Sequence, residues 1–131
     1  MLITRASEYA LLALIEISQA QKPVKTDQLA KTLSIPKSFL AKILQNMAKK
    51  EILHSYKGAN GGFALGKDLS SITILAVITA VEGDNPSVFD CSSSIQDCPN
   101  SAVSCRLWPF LNKLQGKIDT FLDELTMQDL I

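Results

Sequence analysis

Residues 34–65 read SIPKSFLAKILQNMAKKEILHSYKGANGGFAL, a helix pattern followed at once by a hairpin pattern. Ser34, Ile35 and Pro36 start the helix: a capping-type residue, then a proline in the first turn, where no backbone donor is needed. The helix is expected to reach about Lys50, burying Phe39, Leu40, Ile43, Leu44 and Met47 and turning Lys37, Ser38, Ala41, Lys42 and Gln45 outward. Ile52-Leu53-His54-Ser55-Tyr56-Lys57 is strand-like, Gly58-Ala59-Asn60-Gly61-Gly62 is a turn, and Phe63-Ala64-Leu65 is a returning strand. A hairpin directly after such a helix is a wing.

Upstream, residues 4–20 carry Ala6, Tyr9, Ala10, Ala13, Leu14 and Ile17 at three- and four-residue spacing, with Thr4 as N-cap. After a turn at Gln21-Lys22-Pro23, Thr26 is expected to cap a short second helix with Leu29, Ala30 and Leu33 inward. Two short helices, a tight link and a helix with small and polar residues at its front form a helix-turn-helix pattern. Small side chains let such a helix enter a major groove, and flanking lysines meet phosphates. A three-helix core with a solvated lysine face fits this stretch equally well, and the wing is what favours nucleic acid. The wing's glycines and Asn60 permit positive φ and close backbone approach, and Lys57 adds charge. His54, the one histidine, reads as a strand residue rather than a metal ligand.

Charge supports the same division. The chain has 131 residues and no net formal charge. Residues 1–67 nevertheless hold ten Lys/Arg against four acids, a net of +6, and residues 68–131 hold three against nine, a net of −6. A basic half gains by displacing counterions from phosphate. The apolar fraction of 47% with 20% charged residues marks a globular chain, and one of this length makes one domain with an appendage at most. No apolar run is long enough for a membrane span and no signal-peptide layout is present, so the expected setting is cytoplasmic and soluble.

Ser71–Val81 is expected to be a buried helix with Ser70 or Ser71 as cap, although its Ile, Val and Thr content also suits a strand. Gly83-Asp84-Asn85-Pro86 breaks the chain. Leu107, Leu111, Leu114, Ile118, Phe121 and Leu125 then recur at alternating spacings of four and three, a heptad seam on a helix starting near Arg106. Such a seam docks on its own core or pairs with a second copy; the second is favoured, because a reader with one recognition helix gains by dimerising. Thr126 caps a final turn. The organisation is therefore a winged helix-turn-helix unit over 1–82, a cysteine-containing segment over 83–105, and a dimerisation helix with tail over 106–131, mainly α with a short β-hairpin.

Cys91, Cys98 and Cys105 lie six residues apart among serines, asparagine and aspartate rather than in an apolar run. Three thiolates suit zinc or an iron–sulfur cluster, and a thiol switch or an inert loop are the alternatives.

The chain resembles the IscR/NsrR-type winged-helix regulators over nearly its whole length. The likeness rests on Leu2-Ile3-Thr4, on Ile35-Pro36-Lys37-Ser38-Phe39-Leu40, on Lys57-Gly58-Ala59-Asn60-Gly61-Gly62-Phe63-Ala64-Leu65, on Lys67-Asp68, and on the three-cysteine segment before a long helix. This resemblance implies a homodimeric regulator that binds double-stranded DNA; repression is the expected sign, though no residue marks it. Its cofactor would be a [2Fe-2S] or [4Fe-4S] cluster on Cys91, Cys98 and Cys105 that senses redox state, nitric oxide or iron–sulfur status. It implies DNA contacts from Thr4, Lys37, Ser38, Ala41, Lys42, Lys57, Gly58, Asn60 and Gly61. IscR-like members place a histidine three residues after the last cysteine; Trp108 stands there and cannot ligate. NsrR-like members use a carboxylate from the first helix of the other subunit, and Glu8 matches that position. The competing expectations are a cluster-free thiol- or zinc-dependent regulator of the same fold, and a winged-helix protein-interaction module. No nucleophile–base pairing is visible, so neither catalysis nor a small-molecule substrate is expected.

Overall fold

The computed structural model describes residues 3–83, 86–87 and 106–131. The elements in chain order are α1 (Arg5–Gln19), α2 (Thr26–Leu33), α3 (Lys37–Lys49), β1 (Leu53–Tyr56), β2 (Gly62–Leu65), α4 (Ile74–Glu82) and α5 (Trp108–Glu124). Short 3-10 turns occupy Leu69–Ser71 and Met127–Leu130.

Helix α1 forms the centre of the body. Its face of Ser7, Ala10, Ala13, Leu14 and Ile17 is buried, and α3 and α4 pack against it. The opposite stripe of α3, Leu40, Ile43, Leu44 and Met47, fills the same core, which Val77 and Ile78 of α4 complete. Fully burying one such aliphatic side chain contributes about 1.5–3 kcal/mol. These side chains therefore hold the helices together far more strongly than the surface ion pairs do.

Several local expectations shift by a few residues. Ser34 does not start α3; it ends α2 in the left-handed region, at φ 56°. The Ile35 amide donates back to the Ala30 carbonyl at 3.0 Å, and the buried Ile35 side chain seals this Schellman-type end. Pro36 is the N-cap of α3, and Lys25 rather than Thr26 is the N-cap of α2. The expected buried helix is present but begins at Ile74 rather than at Ser71, and its cap is Thr73 instead of Ser70 or Ser71: the Thr73 hydroxyl accepts from the Ala76 amide at 3.0 Å.

The tail closes onto α4. Thr73 and Thr126 form an antiparallel bridge, the Ile74 amide donates to the Leu125 carbonyl at 2.9 Å, and the Met127 amide donates to the Ile72 carbonyl at 2.8 Å. Met127 is wholly buried, and Thr126 with Asp129 makes a capping box around the last turn.

Candidate nucleic-acid interface

The buried stripe of α3 fixes what the helix shows to solvent. Lys37, Ser38, Lys42 and Gln45 are exposed and Ala41 is half-buried, so the expected contact residues share one face. Phe39 differs from expectation. It is 39% exposed, because Leu40, Ile43, Leu44 and Met47 already fill the inner stripe, and its ring rests edge-on against Tyr9 of α1 at 5.6 Å.

Lys37 Nζ lies 2.6 Å from the Asp27 carboxylate of α2. That hydrogen bond and the charge of Lys37, with Lys31 and Lys25 farther out, hold the Asp27 carboxyl below the usual range. Both side chains are exposed, so the pair bridges the fronts of the two helices but adds little to stability. The helix starts also differ in kind. α1 and α4 are capped by the side chains of Thr4 and Thr73, whereas α2 and α3 have no side-chain cap. Their first-turn amides suit outside acceptors such as phosphate oxygens.

The wing pairs Leu53 with Leu65, His54 with Ala64, Ser55 with Phe63 and Tyr56 with Gly62. Period-two alternation sends Leu53 and Phe63 into the core and His54 and Tyr56 outward, their rings 4.5 Å apart. His54 is thus an exposed strand residue, as its sequence context suggested. Lys57, Gly58, Ala59 and Asn60 form the exposed tip. Of the residues expected to permit positive φ, Gly58 (97°) and Gly62 (141°) use it, and Asn60 does not. Gly61 is buried, and a Cβ there would sit 2.5 Å from the Tyr56 carbonyl oxygen, so the hairpin itself requires this glycine.

Sequence reading missed the wing's root. Val24, in the α1–α2 link, exchanges two backbone hydrogen bonds of 2.9 Å with Phe63 and acts as a third rung beside β2. A single valine between Pro23 and Lys25 carries no strand periodicity, so nothing in the sequence marked it.

Thr4 lies in a different cluster. Its hydroxyl accepts from the Ser7 amide at 3.2 Å and meets Glu82 at the end of α4. Ser7, the one buried polar residue among those described, donates to the same Glu82 oxygen at 3.0 Å. Glu8 is exposed in the first turn of α1, with Arg5 Nη1 at 2.9 Å from Oε2. Cys91, Cys98 and Cys105 lie outside the described residues, and among those described no three His, Cys, Asp or Glu side chains are grouped to hold a metal. Trp108 is half-buried in the first turn of α5.

The α5 seam divides in two. The one buried residue of the helix, Leu122, is not in the seam; Ile118 and Leu125 of the seam lie against the core, while Leu107 and Phe121, and Phe110 outside the seam, are 56–60% exposed. Leu107, at the N-cap, and Phe121, both expected in the seam, face away from the chain's own core; at the level of Phe121 the inward position is taken by Leu122.

A helix-turn-helix with an uncapped, lysine-fronted second helix and a rooted glycine wing defines a winged-helix DNA-binding protein. The family model of Rrf2, described as an iron-dependent transcriptional regulator, matches residues 3–131, and the chain belongs to that family. It is 32% identical over 133 residues to an HTH-type transcriptional regulator of Aquifex aeolicus, covering all of this chain and 92% of that one. It is 28% identical over 135 residues to the HTH-type transcriptional regulator IscR of Yersinia pseudotuberculosis, covering all of this chain and 79% of that one. Among solved structures it is similar to CymR, the global cysteine regulator of B. subtilis (TM-score 0.74, 23% identity, 99% of this chain and 95% of that one). T. potens IscR is similar too (TM-score 0.72, 19% identity, 99% and 85%). These homologues are transcriptional regulators, not enzymes, and no described helix is long and apolar enough to cross a membrane.

Proposed function

We propose that this Rrf2-family regulator works as a homodimer whose DNA affinity is set by an iron–sulfur cluster on Cys91, Cys98 and Cys105, completed by Glu8 of the partner subunit. One observation carries the reading: three evenly spaced cysteines between α4 and α5, in a chain matched end to end by a family described as iron-dependent. The donor set fits. Three thiolates are the ordinary cluster ligands, and Glu8 offers an exposed carboxylate at a helix start, paired at the surface with Arg5. A bound cluster supplies redox- and nitric-oxide-reactive iron. The chain's own part is to carry Lys37, Ser38, Ala41 and Lys42 on α3 and Lys57 to Gly61 on the wing at a spacing that the dimer contact fixes.

The dimer reading is supported by α5, which leaves Leu107, Phe110 and Phe121 uncovered at helical spacing. Phe121→Asp is expected to give a monomer in sedimentation at micromolar concentration, and an unchanged dimer would rule out this surface. For the cluster, protein purified without oxygen should be brown with matched iron and sulfide, and Cys98→Ser should lose both while keeping its helical circular dichroism. A colourless protein with no iron after reconstitution would replace the cluster with thiol or zinc chemistry on the same fold, a reading that Trp108 at the IscR-like histidine position favours. Repression is the expected sign of regulation, tested by transcription from a bound promoter with and without the protein.

A further inference from the structure

We propose that the groove between the α1–α2 link and the wing is a seat for a DNA backbone phosphate, with Lys22 and Lys25 as its cationic groups and Gln28 and Asn60 as its neutral donors. Lys22, Pro23, Lys25, Gln28, Ala59, Asn60 and Gly61 line this 390 Å³ groove, and no carboxylate is among them. It rests on the DNA-binding reading and adds Lys22, Lys25 and Gln28, which neither the recognition helix nor the wing tip supplies.

The seat is rigid for a reason visible in the backbone. The reciprocal Val24–Phe63 hydrogen bonds hold Lys25 beside the wing turn, and Gly62 lies so close to Val24 that a Cβ would fall 2.6 Å from its carbonyl oxygen. Gly61 is locked by its amide, which donates to the Gly58 carbonyl at 3.0 Å. The backbone of the two walls is therefore held at a set spacing before any ligand arrives, so only the exposed side chains have to be ordered on binding. Asp27, the one carboxylate on α2, makes its ion pair with Lys37 at 2.6 Å and acts on Lys25 only from farther off.

The position suits duplex DNA. The first helix of a helix-turn-helix crosses the backbone while the second lies in the major groove. A wing reaching the neighbouring minor groove leaves one strand between them, and that strand must pass over the surface joining the front of α2 to the wing turn. Two lysines and two amides there meet phosphate oxygens and read no base, so the seat contributes affinity and register rather than sequence preference.

The test uses the full chain and a 30-base-pair duplex of arbitrary sequence, titrated from low to high potassium chloride. Each phosphate contact contributes roughly 0.9 to the slope of log affinity against log salt. Lys22→Ala/Lys25→Ala is expected to flatten that slope by about two per protomer bound. Lys113→Ala on α5, which removes the same kind of charge elsewhere, is expected to leave it unchanged. Both groove lysines are exposed, so thermal unfolding of the double variant should match wild type. A double variant that keeps the full wild-type slope, or a Lys113→Ala variant that loses half as much as the double variant or more, overturns the phosphate seat. A wild-type chain that does not bind the duplex, or binds it without salt dependence, overturns the DNA-binding reading and the seat with it.

Discussion

Gly62→Ala isolates the wing's attachment to the body. Gly62 sits at φ 141°, where side-chain-bearing residues are rare, and its added Cβ would lie 2.6 Å from the Val24 oxygen and 2.7 Å from the Val24 carbon. Holding alanine in such a backbone costs about 1–3 kcal/mol. Relief requires the Val24 link to move away, which lengthens the two 2.9 Å hydrogen bonds to Phe63. Each of those contributes about 0.5–1.5 kcal/mol net. Whichever way the clash is resolved, the loss should be about 2–4 kcal/mol, a large part of the ~5–15 kcal/mol that folds a domain. Urea unfolding gives the stability, and amide exchange at Val24 and Phe63 reports the bridge directly. Both amides should exchange much faster in the variant while those of Leu14 and Leu44 slow or quicken only with global stability. An alanine variant within about 0.5 kcal/mol of wild type, with the Phe63 amide still protected, would refute the account of a wing rooted through residue 62.

Glu51 closes the end of α3 at φ 63° with its side chain exposed, so Glu51→Gly should stabilise the protein by about 1 kcal/mol in denaturant unfolding. Met127→Ala empties a wholly buried site between α4 and the tail and should cost roughly 2–5 kcal/mol. Asp27 has a lowered pKa in the folded chain, so its contribution is fully present above the ordinary Asp value near about 4 and disappears as pH falls through the lower folded value. Any stability difference between wild type and Asp27→Asn at pH 7 should therefore vanish in strong acid. At neutral pH the same variant should bind arbitrary duplex with a steeper salt slope, because Lys37 is released.

The two-helix link, the recognition helix and the hairpin were legible because each rests on local chemistry: Pro36 near a helix start, a four-residue apolar stripe, and glycines between two short apolar runs. The exposed faces of α3 and the wing tip followed from those periods. What sequence could not give was tertiary. Phe39 reads as core by spacing, yet Leu40 takes the inward place beside it. Val24 pairs with a residue 39 positions away, and Met127 is anchored through Ile72; neither contact leaves a periodic trace. The α5 seam showed the same limit: a heptad spacing identifies apolar positions, but only packing decides that Leu122 turns inward and Phe121 outward.

Gly116 divides α5 at its midpoint, with open space where a side chain would stand. Beyond it, Ile118, Leu122 and Leu125 meet the core. Before it, the described ties include the Gln115 amide on the Pro86 carbonyl at 2.6 Å, and Phe110 stays uncovered. A glycine inside a helix costs about 0.5–1 kcal/mol, and eight residues alone are too few to remain helical in water. The front half of α5 is therefore held as helix mainly by its continuity with the anchored half beyond Gly116, and Phe110 is left for another surface to cover. Covering Phe110 would therefore add its apolar area to a half-helix that has few ties of its own to the body.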